Sequence, residues 1–82
     1  MIVKFIVTRG GTVVFGDQDY RGDMHYKVAR RNGIQEHEII GGGVADVTAK
    51  KIWGKSYDFG PYNKEQLMIL LPDWDIATPG GY

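Results

Sequence analysis

Two apolar runs joined by glycine begin the chain and predict a β-hairpin. Residues 2–7 and residues 12–15 are rich in β-branched and aromatic side chains, and Gly10-Gly11 lies between them. Such side chains favour strands, and glycine tolerates the positive φ angles of a tight hairpin turn. Lys4 is the exception, because the rest of the first run makes both faces of that strand apolar.

The segment after the hairpin has the spacing of a helix. Tyr20, Met24 and Val28 recur every fourth residue, with Ala29 beside them. This spacing places one apolar stripe along a helix. The expected caps are Asp17 or Asp19 at its start and Asn32-Gly33 at its end.

Three consecutive glycines, Gly41, Gly42 and Gly43, follow a predicted strand over residues 34–40. Residues 44–47 and 51–53 predict a further hairpin. Three glycines cost about 2–3 kcal/mol of backbone entropy relative to alanine, so the fold or the function must require them. One explanation is a bulge or a close crossing of chains. The other, weighed equally, is a set of backbone amides that face an anion.

The second helix is the best-marked element. Asn63 is its expected cap, Gln66 stands at the capping-box position, and Tyr62 is placed to pack against Leu67. Pro72 is expected to end the helix. The remaining assignments are Leu67, Leu70 and Leu71 as its buried stripe and Trp74, Ile76 and Thr78 as a short final strand.

The predicted order is therefore β-β-α-β-β-β-α-β, an α/β chain of the α+β type with a single mixed β-sheet and two helices. The 82 residues suit a single domain, residues 1–82. Ten basic residues balance ten acidic ones, which argues against a nucleic-acid partner or an anionic membrane. No cysteine is present, so disulfides and thiolate zinc sites are excluded. The N-terminal apolar run is too short for a signal peptide or a membrane span, and we expect a cytoplasmic location or the interior of a host cell.

Two familiar site patterns are rejected. Residues 49–56 fit a loose phosphate-loop expression, but Ile52 and Trp53 favour a strand, and Phe59-Gly60-Pro61 follows where the motif needs a helix. His25 and His37 are the only histidines and lack the spacing of a ligand pair, so no metal site is expected. We expect one of them on the surface and the other on a face of the sheet.

Several short motifs, taken in order, resemble the janus/ocnus family, whose vertebrate member is a protein-histidine phosphatase. They cover nearly the whole chain, and they match the family without its usual N-terminal extension and without some of its loop length. The matching segments are Lys4-Phe5, residues 20–24, Lys27-Val28, residues 40–43, residues 51–61, Pro72-Asp73-Trp74 and Gly81-Tyr82. The resemblance implies a phosphohistidine phosphatase-like domain without a cofactor.

The resemblance also implies a phosphate pocket. A lysine on the family's first strand helps to bind phosphate, and Lys4 matches it, which would explain a lysine in an apolar strand. The family's glycine-rich segment and serine-containing loop border the same pocket. The implied ligand-binding residues are Lys4, Arg21, Gly41, Gly42, Gly43, Lys55 and Ser56.

The catalytic position departs from the family. Where the family has a histidine in a Tyr-His-Ala-Asp stretch, this chain has Arg21. Arginine stays protonated, so it is neither base nor nucleophile, but it recognises phosphate well. Val44 replaces an arginine of the family. Asp58 stands where a small residue is common, and its charge would oppose a phosphate unless it points away.

Three hypotheses follow. The first is a catalytically impaired protein that binds a phosphate-like anion or a phosphorylated protein. The second is a structural or interaction module that keeps the fold without a pocket and pairs with a partner or as a homodimer. The third is an active phosphatase that uses either His25, one helical turn after Arg21, as a substitute base, or a water molecule positioned by Arg21 and Lys4.

Overall fold

A mixed sheet of five strands lies at the centre of the structure, a computed structural model that describes residues 1–17 and 24–80. The strand order is β2-β1-β3-β4-β5, and only the β4–β5 pair is parallel. This arrangement confirms the predicted α+β class with one mixed sheet and two helices. The elements are β1 (Ile2–Thr8), β2 (Val13–Phe15), α1 (His25–Arg31), β3 (Ile39–Asp46), β4 (Lys51–Trp53), α2 (Lys64–Leu70) and β5 (Asp75–Ile76).

Both predicted hairpins are present. β1 pairs antiparallel with β2, and β3 pairs antiparallel with β4. At the second turn, the Asp46 carboxylate accepts hydrogen bonds from the backbone N–H groups of Thr48 and Ala49. This arrangement stabilises a turn that ends at Lys50, which has a positive φ of 56°.

The predicted strand order contains one strand too many. Residues 34–40 and 44–47 do not form separate strands, because β3 continues through all three glycines and pairs with β1 from Asp46 back to Ile39. Glu36–Glu38, within the predicted third strand, form a 3-10 turn. Glycine has a low preference for strands, so the predicted strand ended at the triplet. In the structure, hydrogen bonding to β1 keeps these three residues within β3.

The first helix differs from the prediction at its start. Its N-cap is Met24, with no side-chain hydrogen bond, so Asp17 is not the cap, whereas Asp19 and Tyr20 lie outside the described residues. The buried stripe consists of His25, Val28 and Ala29, and Met24 is 41% exposed, so its assignment to the stripe is wrong. The predicted end at Asn32-Gly33 is confirmed, since Asn32 is the C-cap and Gly33 has a φ of 68°.

The second helix agrees closely with its prediction. Asn63 Oδ1 accepts the backbone N–H of Gln66 at 3.0 Å, and the helix ends just before Pro72. Leu67 is fully buried, and Leu70 and Leu71 pack against the same core. The final strand is shorter than predicted: it contains Asp75–Ile76, and both Trp74 and Thr78 lie outside it.

The alternation of side chains along β1 divides the core into two parts. Val3, Phe5 and Val7 belong to a cluster with Leu67 of α2, whereas Ile6 belongs to a cluster with Val28 and Ala29 of α1. Successive side chains of a strand point to opposite faces, so Lys4 shares the face of Ile6. The exceptional lysine is therefore on the side of the sheet that α1 covers.

Candidate functional site

Three residues that the sequence singled out meet in one small concavity. Lys4, His25 and Lys55 line a space of about 150 Å³. Lys4 comes from β1, His25 is the first residue of α1, and Lys55 follows β4. Val44, which lies opposite Lys4 in the β1–β3 register, forms part of the wall. The remaining lining residues are Met24 and Tyr57.

His25 is held in this concavity by the backbone of β3. Its side chain is almost wholly buried, with 3% exposed, and its Nε2 atom lies 2.8 Å from the carbonyl oxygen of Gly43. A carbonyl oxygen only accepts hydrogen bonds, so Nε2 carries the proton in this contact. In the neutral ring, Nδ1 then holds the lone pair.

The surroundings of His25 favour its neutral form. Burial lowers the pKa of the imidazole below its ordinary value of 6.5, and the Lys4 charge lowers the pKa further. The hydrogen bond to Gly43 and the Asp58 carboxylate act in the opposite direction without reversing the shift. The concavity therefore contains a neutral imidazole near neutral pH, with the two lysine side chains also in its lining.

The glycine triplet is explained by a close crossing of chains. A Cβ atom at Gly41 would collide with the backbone of Pro61, and one at Gly42 would collide with the Phe5 carbonyl oxygen. The Gly42 N–H donates to the carbonyl oxygen of Gly60 at 3.2 Å. Of the two explanations weighed from the sequence, the close crossing is the one that the structure displays.

Gly42 also makes room for two side chains of the candidate site. A Cβ atom there would lie 3.2 Å from His25 Cδ2 and 3.3 Å from Ser56 Cβ, which is closer than such atoms usually approach. The absence of a side chain therefore lets the imidazole and the serine lie against β3. Gly42 thus lies directly beneath the imidazole, and the neighbouring Gly43 supplies the carbonyl oxygen that the ring contacts.

Ser56 holds the loop after β4 together. It is 2% exposed, and its Oγ accepts the backbone N–H of Phe59 at 3.0 Å. Its own backbone N–H and carbonyl both bond to Gly60, which closes residues 56–60 into a tight loop. Ser56 lines a neighbouring concavity of about 320 Å³ and not the one around His25; Lys55 and Tyr57 line both.

Asp58 lies beside the first turn of α1. Its Oδ2 atom accepts the backbone N–H of Tyr26 at 3.2 Å, one residue after His25. Its charge is near enough to raise the pKa of His25 against the lowering effects. The carboxylate thus lies against the start of α1, although Asp58 does not line the concavity itself.

The other sequence assignments are distributed as follows. Arg21, the residue at the family's histidine position, lies outside the described residues. His37 is exposed in the 3-10 turn and not on a face of the sheet, and the buried histidine is His25 on α1. Ser56 is followed by a turn and no helix, in agreement with the rejection of a phosphate loop. Within residues 1–17 and 24–80, no cluster of three His, Asp or Glu side chains could hold a metal ion.

Sequence reasoning placed Val28 and Ala29 correctly on the buried stripe of α1 but assigned Met24 to it where the structure has His25. The spacing of His25, Val28 and Ala29, at positions i, i+3 and i+4, carried a signal for the buried face. Met24 and Tyr57 were not predicted to line a site. Both side chains are exposed, and Tyr57 is 82% exposed, so neither belongs to a buried stripe that the spacing of apolar residues could have indicated.

Among the described residues, no helix has the length and apolar character needed to cross a membrane. Comparisons with models of protein families, with curated proteins and with solved structures find no match to this chain. The case for a function therefore depends on the geometry around His25 and on the motifs of the sequence.

Proposed function

We propose that this chain binds a phosphate-like anion beside Lys4, His25 and Lys55, as a relative of the protein-histidine phosphatases. The observation that carries the proposal is the shared concavity, which is lined by two lysines from distant parts of the chain. Lysine ammonium groups bind phosphate as compact point charges. The ligand is inorganic phosphate or the phosphoryl group of a modified protein side chain.

The same proposal includes impaired catalysis. Arg21 occupies the position where the resembling family has its histidine, and a guanidinium group neither accepts a proton nor attacks phosphorus. Arg21 precedes Met24, a lining residue of the concavity, by three positions. We expect its guanidinium to add a bidentate contact to the bound anion.

Thermal unfolding with and without phosphate tests this function. An anion that binds only the folded chain raises the free energy of unfolding and therefore the midpoint temperature. At an anion concentration 100 times the dissociation constant, the gain in free energy is about 2.7 kcal/mol. Lys4→Met and Arg21→Ala are expected to reduce this rise. Lys51→Met, at an exposed position of β4, is the matched control and should retain it.

Potassium chloride at the same ionic strength separates binding from general salt effects. A wild-type midpoint that rises equally with chloride and phosphate would overturn the proposal. In that case the interaction module without a pocket becomes the better description of this fold.

One observation favours a second candidate function, phosphohistidine hydrolysis with His25 as the base. The imidazole lies in the concavity in its neutral form, with Nδ1 holding the lone pair. In this reaction Nδ1 takes a proton from water as the water oxygen bonds to phosphorus, and the P–N bond of the substrate breaks. The released imidazole nitrogen then takes up a proton from solvent, and His25 Nδ1 returns its proton to solvent, which restores the neutral base.

Turnover of a phosphohistidine peptide tests the second candidate. His25→Gln removes the base, and His37→Gln, at the exposed histidine, is the matched control. Hydrolysis by wild type and His37→Gln but not by His25→Gln supports it. Turnover that is equal in all three proteins excludes catalysis by His25.

A further inference from the structure

The loop that carries Asp58 is held in place at both ends. Ser56 and Gly60 exchange two backbone hydrogen bonds, of 3.1 and 3.0 Å, and the Ser56 hydroxyl accepts the N–H of Phe59. Ser56 itself is buried against Gly42. Asp58, near the tip of this loop, therefore has a fixed backbone position.

A contact with α1 also fixes the carboxylate of Asp58. Its Oδ2 atom accepts the Tyr26 N–H at 3.2 Å, so the negative charge lies next to the residue that follows His25. Lys55, which lines the concavity, belongs to the same loop three positions earlier. Lys4 and Asp58 thus act on His25 with opposite charges, and their opposite effects on its pKa agree with this geometry.

We propose that Asp58 tunes the charge specificity of the candidate anion site by lowering its affinity for doubly charged anions more than its affinity for singly charged ones. The inference rests on the proposed function. Its physical basis is that the Coulomb energy between Asp58 and a bound anion doubles when the charge of the anion doubles. By the same rule Lys4 and Lys55 attract the dianion more strongly than the monoanion, and Asp58 offsets part of that preference.

Sulfate and methanesulfonate are suitable probes for this proposal. Both are tetrahedral at sulfur, and near neutral pH sulfate carries two negative charges and methanesulfonate one. Neither anion changes its charge in the pH range where histidine titrates, so each probe keeps the same charge throughout the experiment. Dissociation constants are measured for each anion at constant ionic strength, because salt screens these interactions.

Asp58→Asn keeps the shape and the oxygen acceptor for Tyr26 N–H while it removes the charge. For a loss of one unit charge near the protein surface, we expect about a three-fold gain in affinity for methanesulfonate and about a nine-fold gain for sulfate. The second factor is the square of the first, because the energy doubles. Glu65→Gln, on α2 across the sheet, is the matched control and should change neither constant.

The outcomes separate this inference from the function on which it rests. Binding that depends on Lys4 but is equally strong in wild type and Asp58→Asn overturns the role of Asp58 and leaves the anion site intact. Equal gains for both anions in Asp58→Asn also overturn it, since a charge effect must be larger for sulfate. No binding of either anion by wild type or Asp58→Asn overturns both proposals.

Discussion

The Nε2 atom of His25 donates its proton to the carbonyl oxygen of Gly43 across 2.8 Å, which links the start of α1 to the middle of β3. The two residues are 18 positions apart in the chain. This bond fixes the orientation of the ring. It also makes the buried histidine part of the structure as well as part of the candidate site.

The first prediction concerns pH. The folded-state pKa of His25 is lowered, mainly by burial, so the unfolded chain binds the proton more readily. The stability that this group contributes is fully present above pH 6.5 and is lost as the pH falls through the lower, folded-state pKa. Urea unfolding between pH 7.5 and 5 should therefore show a declining free energy of unfolding.

The variant His25→Gln should show a smaller decline over the same range of pH, whatever its absolute stability. His37→Gln, which changes the exposed histidine, should decline as wild type does. A decline of the same size in His25→Gln and in wild type would show that other groups cause the pH dependence.

The second prediction concerns the chain crossing at Gly42. Alanine there would place a methyl group against the Phe5 carbonyl oxygen and the His25 ring, and the expected loss is about 3 kcal/mol of stability. Gly10→Ala is the control, because its methyl group would lie 3.9 Å from the Thr8 hydroxyl, an ordinary contact. Equal urea midpoints for the two variants would contradict a close crossing.

The third prediction concerns the cap of α2. Asn63→Ala removes the acceptor for the Gln66 N–H and should cost about 1 kcal/mol in the free energy of unfolding. Gln35→Ala provides the comparison, because Gln35 precedes the 3-10 turn without a side-chain hydrogen bond. Its midpoint should stay close to that of wild type. A larger loss in Gln35→Ala than in Asn63→Ala would refute this account.

The fourth prediction distinguishes a structural Ser56 from a ligand-binding one. Ser56→Ala leaves the Phe59 N–H without its acceptor, which should cost about 1–2 kcal/mol of stability. The rise in the unfolding midpoint with phosphate should match that of wild type, since Ser56 does not line the concavity around His25. Loss of the phosphate effect with unchanged stability would assign Ser56 to the ligand.

Local signals predicted the elements whose causes are local. The Asn63 cap, the Gly10-Gly11 turn and Pro72 each depend on neighbours within a few residues, and the structure agrees with all three. The single mixed sheet also followed from the order of the apolar runs. These features are set by backbone preferences that a sequence displays directly.

Features caused by distant contacts were harder to predict. The continuity of β3 depends on Phe5 and Pro61, neither of which is near the glycines in sequence. The spacing of His25 with Val28 and Ala29 indicates a buried face, but the space above Gly42 that receives the imidazole depends on a contact between residues that are distant in the chain. Lys4 was singled out correctly as unusual, because a charge in an apolar strand conflicts with its surroundings.

β3 passes closely between Phe5 and residues 60–62, and this crowding makes the residues beneath the recess differ from those around it in how freely they can be substituted. The glycines of β3 admit no side chain, so the base of the recess tolerates no substitution that preserves the native packing. Lys4, Val44, Lys55 and Tyr57 surround it and are not fully buried, so they have room to change. Selection or design can therefore alter the charge and shape of this recess by exchanging its border while the backbone beneath stays the same.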